Sequence, residues 1–250
     1  MIKDKTYFLS DLHLGAPYIT DHKAHEAYII SFLDSIKSDA KEIYFVGDIF
    51  DFWYEWKAVI PKGFVRFQGK IAELVDSGID IHFFGGNHDM WMYGYFEKEL
   101  GVKLYHHPTT INIQGQTFFI AHGEDLGVDD IMFKFMLKML RSTFVRWIYS
   151  TFVPSSLAIK LAKIWSTNSR KKHKDTHSSF LGEDKEYLVK YAKQYEGNED
   201  INFFIFGHRH IVLDLMIKKS TRVIILGDWI TNNSYAMLHE GIMTLTTYEK

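Results

Sequence analysis

Five short segments carry aspartate, histidine and asparagine directly after apolar runs. They are SDLHLG, VGDIFDFW, GGNHDM, IAHGED and FGHRHI, and they supply Asp11, His13, Asp48, Asp51, Asn87, His88, Asp89, His122, His208 and His210. Burying such polar groups at strand ends is costly unless something binds them. Oxygen and imidazole ligands without sulfur suit Mn, Fe, Zn or Mg, and the mixture fits Mn or Fe well. A carboxylate shared by two ions about 3.5–4 Å apart would form a two-metal clamp.

The elements that must position these side chains are short apolar runs, most of which end in glycine. They are TYFLS (6–10), EIYFVG (42–47), DIHFFG (80–85), TFFIAHG (117–123), NFFIFG (202–207) and RVIILG (222–227). Helical patterns near 20–37 and 63–77 separate the early runs, and this alternation predicts βαβ units and a parallel sheet. Ligands in such folds bind beyond the carboxyl ends of the strands. Hairpin-like stretches in TTINIQGQTFFI and GIMTLTTYEK add a second sheet, so we expect two packed sheets flanked by helices.

The composition narrows the class of protein. The chain has 250 residues, a formal net charge of −2 and no cysteine. The charge argues against a protein that coats nucleic acid, and the lack of cysteine excludes thiolate metal sites and cysteine nucleophiles. The first residues do not form a basic region followed by an apolar one, so we expect no secretory signal. No stretch of about 18 residues is free of charge, so we expect no membrane-spanning helix. We expect one domain over residues 1–250.

Residues 126–182 differ from the rest and are called the lid below. The stretch IMFKFMLKMLRSTFVRWIYSTF predicts a helix that is apolar around most of its circumference. At 100° per residue, Lys134, Lys138, Arg141 and Arg146 fall within one arc of about 140°. Pro154 breaks the pattern, and SSLAIKLAKIW predicts a second, short helix. Between 126 and 174, ten Lys and Arg face two Asp, a local balance of +8. A helical hairpin packed on the core is the alternative.

A single one of the five motifs is weak, because each is more often a turn with a capped helix. The whole set, D-x-H, G-D-x-x-D, G-N-H-D, H-G and G-H-x-H, resembles the signature of the calcineurin-like metallophosphoesterases, from Asp11 to His210. The resemblance implies an α/β fold, a four-layer α/β/β/α sandwich, with two divalent metal ions. Two cations neutralise phosphate charge and lower the pKa of water, which suits hydrolysis of a phosphate ester.

The resemblance also implies a role for each motif residue. Asp11, His13 and His210 would bind one metal ion, and Asn87, His122 and His208 would bind the other. Asp48 would bridge the two ions. His88 would approach the scissile phosphate, stabilise or protonate the leaving oxygen, and be oriented by Asp51. Asp89 is expected to be a structural partner rather than a ligand. The preceding glycines are expected to allow a tight turn.

Within that superfamily the chain resembles the UDP-2,3-diacylglucosamine diphosphatases of lipid A synthesis. A helical insertion follows H-G, and ILGDWIT is similar to that group's L-G-x-W segment. The resemblance implies substrate contacts by lid residues, namely Asp130, Asn168, Ser169, Arg170, Lys171 and Lys172. An apolar set beside the cations would take the acyl chains: Phe133, Phe135, Met136, Met139, Leu140, Phe144 and Trp147. A basic amphipathic lid suits an anionic bilayer, so we expect a cytoplasmic protein peripherally associated with the inner membrane.

Two departures keep other functions open. The diphosphatase group carries Arg where this chain has His88, and RKKHK does not match that group's spacing. The alternatives are a broad metallophosphatase or phosphodiesterase acting on nucleotides or phosphoproteins, a non-catalytic scaffold of the same fold, and a nuclease. Arg209 could point away from the metals or reach substrate. The remaining histidines are not expected to bind metal. His82 is expected in the core, and the others are expected at the surface or with ordinary hydrogen-bond partners: His22, His25, His106, His107 and His239.

Overall fold

The computed structural model describes residues 3–127, 131–173, 179–197, 200–218 and 220–249. The first half of the chain forms β1 (Lys5–Leu9), α1 (His22–Ile36), β2 (Ala40–Val46), α2 (Val65–Asp76), β3 (Asp80–Phe84), α3 (Tyr95–Leu100), β4 (Lys103–Tyr105), β5 (Thr109–Ile113) and β6 (Gln116–Ala121). The second half forms α4 (Ile131–Leu140), α5 (Thr143–Phe152), α6 (Ser155–His173), α7 (Tyr187–Lys193), β7 (Phe203–Phe206), β8 (Val212–Lys218), β9 (Thr221–Leu226), β10 (Ser234–His239) and β11 (Ile242–Thr247).

The strands build two sheets. The six-stranded sheet has the order β11-β10-β1-β2-β3-β4, and the five-stranded sheet has the order β5-β6-β7-β9-β8. Strands β1 to β4 are parallel, as are β6, β7 and β9, whereas β10, β11, β5 and β8 run antiparallel to their neighbours. Six strand ends that precede polar motifs therefore belong to parallel strands, three in each sheet.

Apolar side chains fill three layers between these elements. Phe8, Phe118 and Ile205 represent the layer between the sheets. The outer face of the first sheet packs on α1 and α2, and α7 covers the second sheet through Leu188 and Val189. Burial of these alternating faces provides the main favourable free energy of folding. The predicted α/β/β/α sandwich is confirmed.

The lid contains α4, α5 and α6, and its helices differ from the prediction. Residues 131–152 do not form one helix, because the chain breaks between α4 and α5, and Ser142 adopts the extended backbone of an N-cap. Ser is a preferred residue at that position. The helix after Pro154 has 19 residues, so the prediction of a short helix was also wrong. A single basic arc therefore does not exist.

No helix among the described residues combines the length and the apolar character needed to cross a membrane.

Candidate metal centre

The seven predicted metal ligands follow strands of both sheets and are called the seven-residue cluster: Asp11, His13, Asp48, Asn87, His122, His208 and His210. Ligand atoms of Asp11, His13 and His210 lie within 4.8 Å of one another, as do those of Asp48, His122 and His208. Because all five segments follow the ends of parallel strands, the two sheets deliver their polar side chains to one shared edge.

The atoms of the first group converge closely. The Nε2 atom of His210 lies 3.1 Å from Oδ1 of Asp11, and the Nε2 atoms of His13 and His210 are 3.2 Å apart. Asp48 links this group to the second, because its Oδ2 atom lies 3.2 Å from Nε2 of His122 and 3.7 Å from Nε2 of His13. A carboxylate between two sets of imidazoles is the arrangement that a bridging ligand requires.

Asn87 lies beside this bridge. The backbone N–H of His88 donates to Oδ1 of Asp48 at 2.9 Å. On the other side of Asn87, a Cβ atom on Gly86 would come within 2.3 Å of that same oxygen. Gly86 has no positive φ, so close approach to Asp48 explains this glycine rather than the predicted tight turn.

The backbone of the cluster is held in an uncommon conformation. Five of its residues have positive φ: Asp11 (56°), His13 (45°), Asp48 (51°), His208 (64°) and His210 (50°). Aspartate and histidine adopt the left-handed region more readily than most residues, but it still costs free energy. Such backbone angles persist where surrounding contacts impose them, and they often mark functional sites. Here, the backbone N–H of His208 donates to Oδ2 of Asp11 at 2.9 Å.

Partners outside the cluster orient its imidazoles. Nδ1 of His210 donates to Oδ2 of Asp228 at 3.0 Å, and Nδ1 of His122 donates to the carbonyl oxygen of Val46 at 2.9 Å. Both bonds leave Nε2 as the atom that faces the cluster. Oδ1 of Asp228 accepts from the backbone N–H groups of residues 230–232 at 2.6–3.0 Å, which fixes its carboxylate. Such partners set the tautomer and basicity of histidine ligands.

Sequence reasoning missed Asp228. The signal was present, because Asp228 follows the apolar run RVIILG just as Asp48 follows EIYFVG. Burial alone raises the pKa of Asp228, but His210 and the backbone N–H groups lower it to about 2. Asp228 is therefore a carboxylate that supports a metal-facing histidine from behind.

The charges of the cluster balance only if positive charge is present. Burial alone raises the pKa of Asp11, yet His210 and His13 bring it well below its usual value. Burial alone lowers the pKa of His122, yet Asp48 raises it well above its usual value. These carboxylates thus stabilise a cation among them, either imidazolium protons or a metal ion.

Polar atoms of the cluster also fit a metal ion. Within the described part of the chain, Oδ1 of Asp11, Oδ1 of Asn87 and Nε2 of His122 are buried without a hydrogen bond. Buried polar atoms without partners are rare and costly. Nε2 of His13 and Nε2 of His210 also face each other, which requires a proton or a cation between them. Divalent ions held by these oxygen and imidazole atoms would satisfy all five.

His88 and Asp51 lie beside the cluster. Nδ1 of His88 donates to the backbone carbonyl of Asp51 at 2.8 Å, whereas Oδ1 of that carboxylate is 3.8 Å away. Asp51 thus contacts His88 mainly through its main chain. The hydrogen bond makes Nε2 of His88 the ring atom that can carry a proton to a substrate. The carboxylate of Asp51 instead lies 3.5 Å from Nδ1 of His13.

Asp89 is a structural partner, in line with its expected role. Its carboxylate accepts backbone N–H bonds from Gly86 (2.8 Å), Ile49 (2.7 Å), Phe50 (3.2 Å) and Asp48 (3.3 Å). It therefore joins the loop that carries Asn87 to the loop that carries Asp48. The side chain is fully buried.

Arg209 points away from the cluster. It forms a buried pair with Glu186, with Nε at 2.7 Å from Oε1 and Nη2 at 3.0 Å from Oε2. Both residues are at least 96% buried, so the pair anchors the start of α7 to the second sheet.

Two of the histidines that were not expected to bind metal have other contacts. His82 is buried and stacks on Tyr44, and Nε2 of His25 contacts the carbonyl of Leu12 at 2.8 Å.

The lid contacts the core near the break between α4 and α5. Glu124 and Asp125 directly follow His122 and Gly123 in the chain. The guanidinium group of Arg141 lies 2.5 Å from a carboxylate oxygen of each. Arg146 lies 3.8 Å from the ring centre of Tyr93. These two cations thus have structural partners. Arg141, His122 and residues 105–108 line a common cleft.

Beyond these anchors, the lid exposes large apolar side chains: Ile131, Met132, Phe135, Met139, Phe144, Trp147, Ile148, Phe152, Leu157, Leu161 and Ile164. Such a contiguous sequence region of exposed apolar residues is typical of a binding surface. The predicted substrate contacts of the lid are not among the described side chains. Asp130 lies outside the described residues, and so do the side chains of 168–172, whose backbone belongs to α6.

Comparison with known proteins identifies relatives of this chain. The chain is 36% identical to UDP-2,3-diacylglucosamine hydrolase of Porphyromonas gingivalis, over 99% of both chains. This chain belongs to the UDP-2,3-diacylglucosamine hydrolase family. Relatives of the same name from Histophilus somni and Vibrio parahaemolyticus are 27% and 28% identical, over 90% and 92% of this chain and 92% of each relative.

No family model matches the chain. Among solved structures, a dimetal phosphatase from Danio rerio is similar over 100% of both chains, with 11% identity and a TM-score of 0.44. Membership of the UDP-2,3-diacylglucosamine hydrolase family confirms the predicted resemblance and the prediction that the chain is a hydrolase.

Proposed function

We propose that this hydrolase cleaves the pyrophosphate bond of UDP-2,3-diacylglucosamine, giving UMP and 2,3-diacylglucosamine 1-phosphate for lipid A biosynthesis. The observation that carries the proposal is an apolar lid seated beside a cluster suited to two cations. A diphosphate needs cations, and acyl chains need apolar surface. The similarity to UDP-2,3-diacylglucosamine hydrolase of Porphyromonas gingivalis, over 99% of both chains, supports the same substrate.

We propose that the cluster binds two divalent metal ions. Mn²⁺ is preferred over Fe, Zn or Mg, because carboxylate, amide and imidazole ligands suit Mn²⁺. Asp11, His13 and His210 would hold one ion and Asn87, His122 and His208 the other, with Asp48 between them. When bound, the ions would neutralise phosphate charge and lower the pKa of water. Asp228 and Val46 keep Nε2 of His210 and His122 directed at the ions.

His88 is proposed as the residue that contacts the reacting phosphate. Its ring is fixed by the carbonyl of Asp51, and its backbone N–H is fixed by Asp48. When protonated, Nε2 would donate to the leaving oxygen and stabilise its developing charge. The proposed lid contacts remain Asp130, Asn168, Ser169, Arg170, Lys171 and Lys172.

We also propose peripheral binding at the cytoplasmic face of the inner membrane, where a diacylated substrate resides. Phe135 and Phe144 are 64% and 66% exposed, and Lys134 and Lys138 on α4 are exposed as well. Exposed aromatic residues beside lysines favour the headgroup region of an anionic bilayer. Sedimentation with anionic and with neutral vesicles tests this proposal. Binding to neither kind of vesicle would contradict it.

The decisive experiment measures UMP release from UDP-2,3-diacylglucosamine in detergent micelles, with Mn²⁺ and with a chelator. Deacylated UDP-glucosamine is the matched substrate. We expect metal-dependent UMP release from the acylated substrate, with His88→Gln about 10²-fold slower and still able to bind Mn²⁺. The control is His22→Asn, an exposed histidine at the start of α1.

A broad phosphodiesterase is the second candidate, and His88 favours it because that residue follows the general superfamily pattern. Turnover of a simple aryl phosphodiester without UMP release would support this candidate and contradict the lipid substrate.

A further inference from the structure

Ser166 connects the lid to the edge of the metal centre. It lies in α6 and is 3% exposed, and its hydroxyl donates to Oδ1 of Asp51 at 2.9 Å. Among the described side chains of α6, only Ala158 and Ser166 are buried. Among the described side chains of α6, the Ser166 hydroxyl is therefore a specific polar attachment of this helix to the residues around the cluster.

The oxygen that accepts from Ser166 also faces a proposed metal ligand. Oδ1 of Asp51 lies 3.5 Å from Nδ1 of His13, on the ring edge opposite the Nε2 atom that faces Asp11. A carboxylate oxygen has lone pairs for two donors. Ser166 therefore fixes the rotation of the carboxylate that faces Nδ1 of His13, a buried atom without a hydrogen bond among the described residues.

We propose that Ser166 is a positioning residue through which the lid and the metal centre stabilise each other. With α6 in place, Asp51 is held 3.5 Å from Nδ1 of His13 as the acceptor nearest to that atom, and Nε2 of His13 is presented to a metal ion. By thermodynamic reciprocity, a metal ion bound at His13 favours the orientation of Asp51 that receives Ser166, and thus the seated helix. The inference rests on the proposed metal centre and not on the identity of the substrate.

The other lid contacts make this coupling separable from attachment of the whole lid. Arg141 binds Glu124 and Asp125, and Nε1 of Trp91 donates to the carbonyl of Leu140 at 3.1 Å. These contacts hold the region between α4 and α5. Loss of the Ser166 hydroxyl therefore releases α6 from Asp51 without detaching α4 and α5.

The test uses the full chain stripped of metal and titrated with Mn²⁺ in a calorimeter. Ser166→Ala is expected to weaken Mn²⁺ binding about fivefold, the effect of one ordinary hydrogen bond. Ser156→Ala is the matched control, because Ser156 is exposed on the same helix. Alanine favours helix, and an unchanged melting temperature of the metal-free protein shows that Ser166→Ala is folded.

Two further readouts separate positioning from a general structural effect. Mn²⁺ is expected to slow amide exchange across α6 in the unaltered protein but not in Ser166→Ala. In an Asp51→Ala background, which removes the acceptor, Ser166→Ala is expected to change Mn²⁺ affinity by less than about twofold, because Ser166 acts through the Asp51 side chain.

Each remaining outcome contradicts the inference. Unaltered Mn²⁺ affinity in Ser166→Ala, or equal effects in both backgrounds, would overturn the role of Ser166. Failure of the unaltered protein to bind Mn²⁺ would overturn the metal centre as well. Because substrate is absent from these titrations, failure of the lipid substrate in the UMP assay leaves their result untouched.

Discussion

The seven-residue cluster and the lid are built in opposite ways. Six of the cluster side chains are held by buried contacts with one another or with backbone groups from neighbouring strand ends. The lid instead exposes its largest apolar residues, with Trp147 at 58% and Phe152 at 70%. Its described core contacts are few, mainly Arg141, Arg146 and Ser166.

This difference shows which region depends on the fold and which depends on its ligand. The cluster has its geometry imposed by two sheets, even at the cost of left-handed backbone at five residues. The lid leaves large apolar side chains exposed, and exposed apolar surface of this kind commonly marks an interaction site. Catalysis should therefore respond most strongly to substitutions in the cluster and lipid binding to substitutions on the exposed face of the lid, with Ser166 as the proposed link between the two regions.

The largest expected effect comes from the carboxylate shared by both halves of the cluster. Asp48→Asn removes the charge that lies 3.2 Å from His122 and 3.7 Å from His13. We expect UMP release from UDP-2,3-diacylglucosamine with Mn²⁺ to slow by about 10³-fold, since a preorganised charge is lost. Asp80→Asn, at the opposite end of β3, is the control. Full activity of Asp48→Asn would show that this carboxylate is not shared by two metal ions.

The next effect concerns the stability of the loops that carry the cluster. Asp89→Ala leaves four backbone N–H groups at buried positions without their acceptor. We expect the free energy of unfolding in chelator to fall by about 3–5 kcal/mol, because unsatisfied buried donors are costly. Asp89→Asn keeps one oxygen acceptor and should lose less. Denaturant unfolding measures both, and a loss below 1 kcal/mol for Asp89→Ala would show that water replaces the carboxylate.

The contrast also explains how much of the molecule could be predicted from its sequence. Polar residues that directly follow parallel strands must lie near one another, because parallel strands end at one edge of the sheet. Two packed sheets and a shared edge of polar side chains therefore followed from the pattern, whereas the grouping of Asp11 with His210 came from the family resemblance. Asp228 was missed although it also follows an apolar run, because that run does not specify its contact with His210 from another strand end.

The lid was less predictable because its sequence is apolar on most faces. A uniformly apolar stretch does not reveal where its helix breaks, so the pair Arg141-Ser142 was read as helix interior. At the break, Arg141 pairs with Glu124 and Asp125, and the local apolar pattern does not reveal this contact. Arg209 was likewise undecided, because only the fold brings Glu186 to it.

A histidine outside the cluster gives a smaller effect with a clear direction. Burial, assisted by Lys103, lowers the pKa of His82 to about 4, whereas carboxylates raise that of His122. Between pH 6.5 and 4 the unfolded chain binds a proton at His82 that the folded chain does not, so stability falls as pH falls. The loss from His82 between pH 7 and 5 is about 2 kcal/mol.

His82→Phe tests this, because a phenyl ring can keep the stacking on Tyr44, whose centroid is 4.1 Å away. We expect the variant to lose about 2 kcal/mol less than the unaltered protein between pH 7 and pH 5 in denaturant unfolding. Equal losses in both proteins would mean that His82 is protonated in the folded state.

The smallest expected effect decides whether the lid depends on its ligand. Trp147→Ser removes a side chain that is 58% exposed and should change the free energy of unfolding by less than about 0.5 kcal/mol. If the exposed face receives acyl chains, the same change should raise KM for the acylated substrate about tenfold, because apolar contact is lost. Ile242→Ser, a 68% exposed site on β11, is the control. A lid that packs only on the core predicts the reverse, lower stability and unaltered KM, so the two measurements together separate a binding surface from an incompletely covered hairpin.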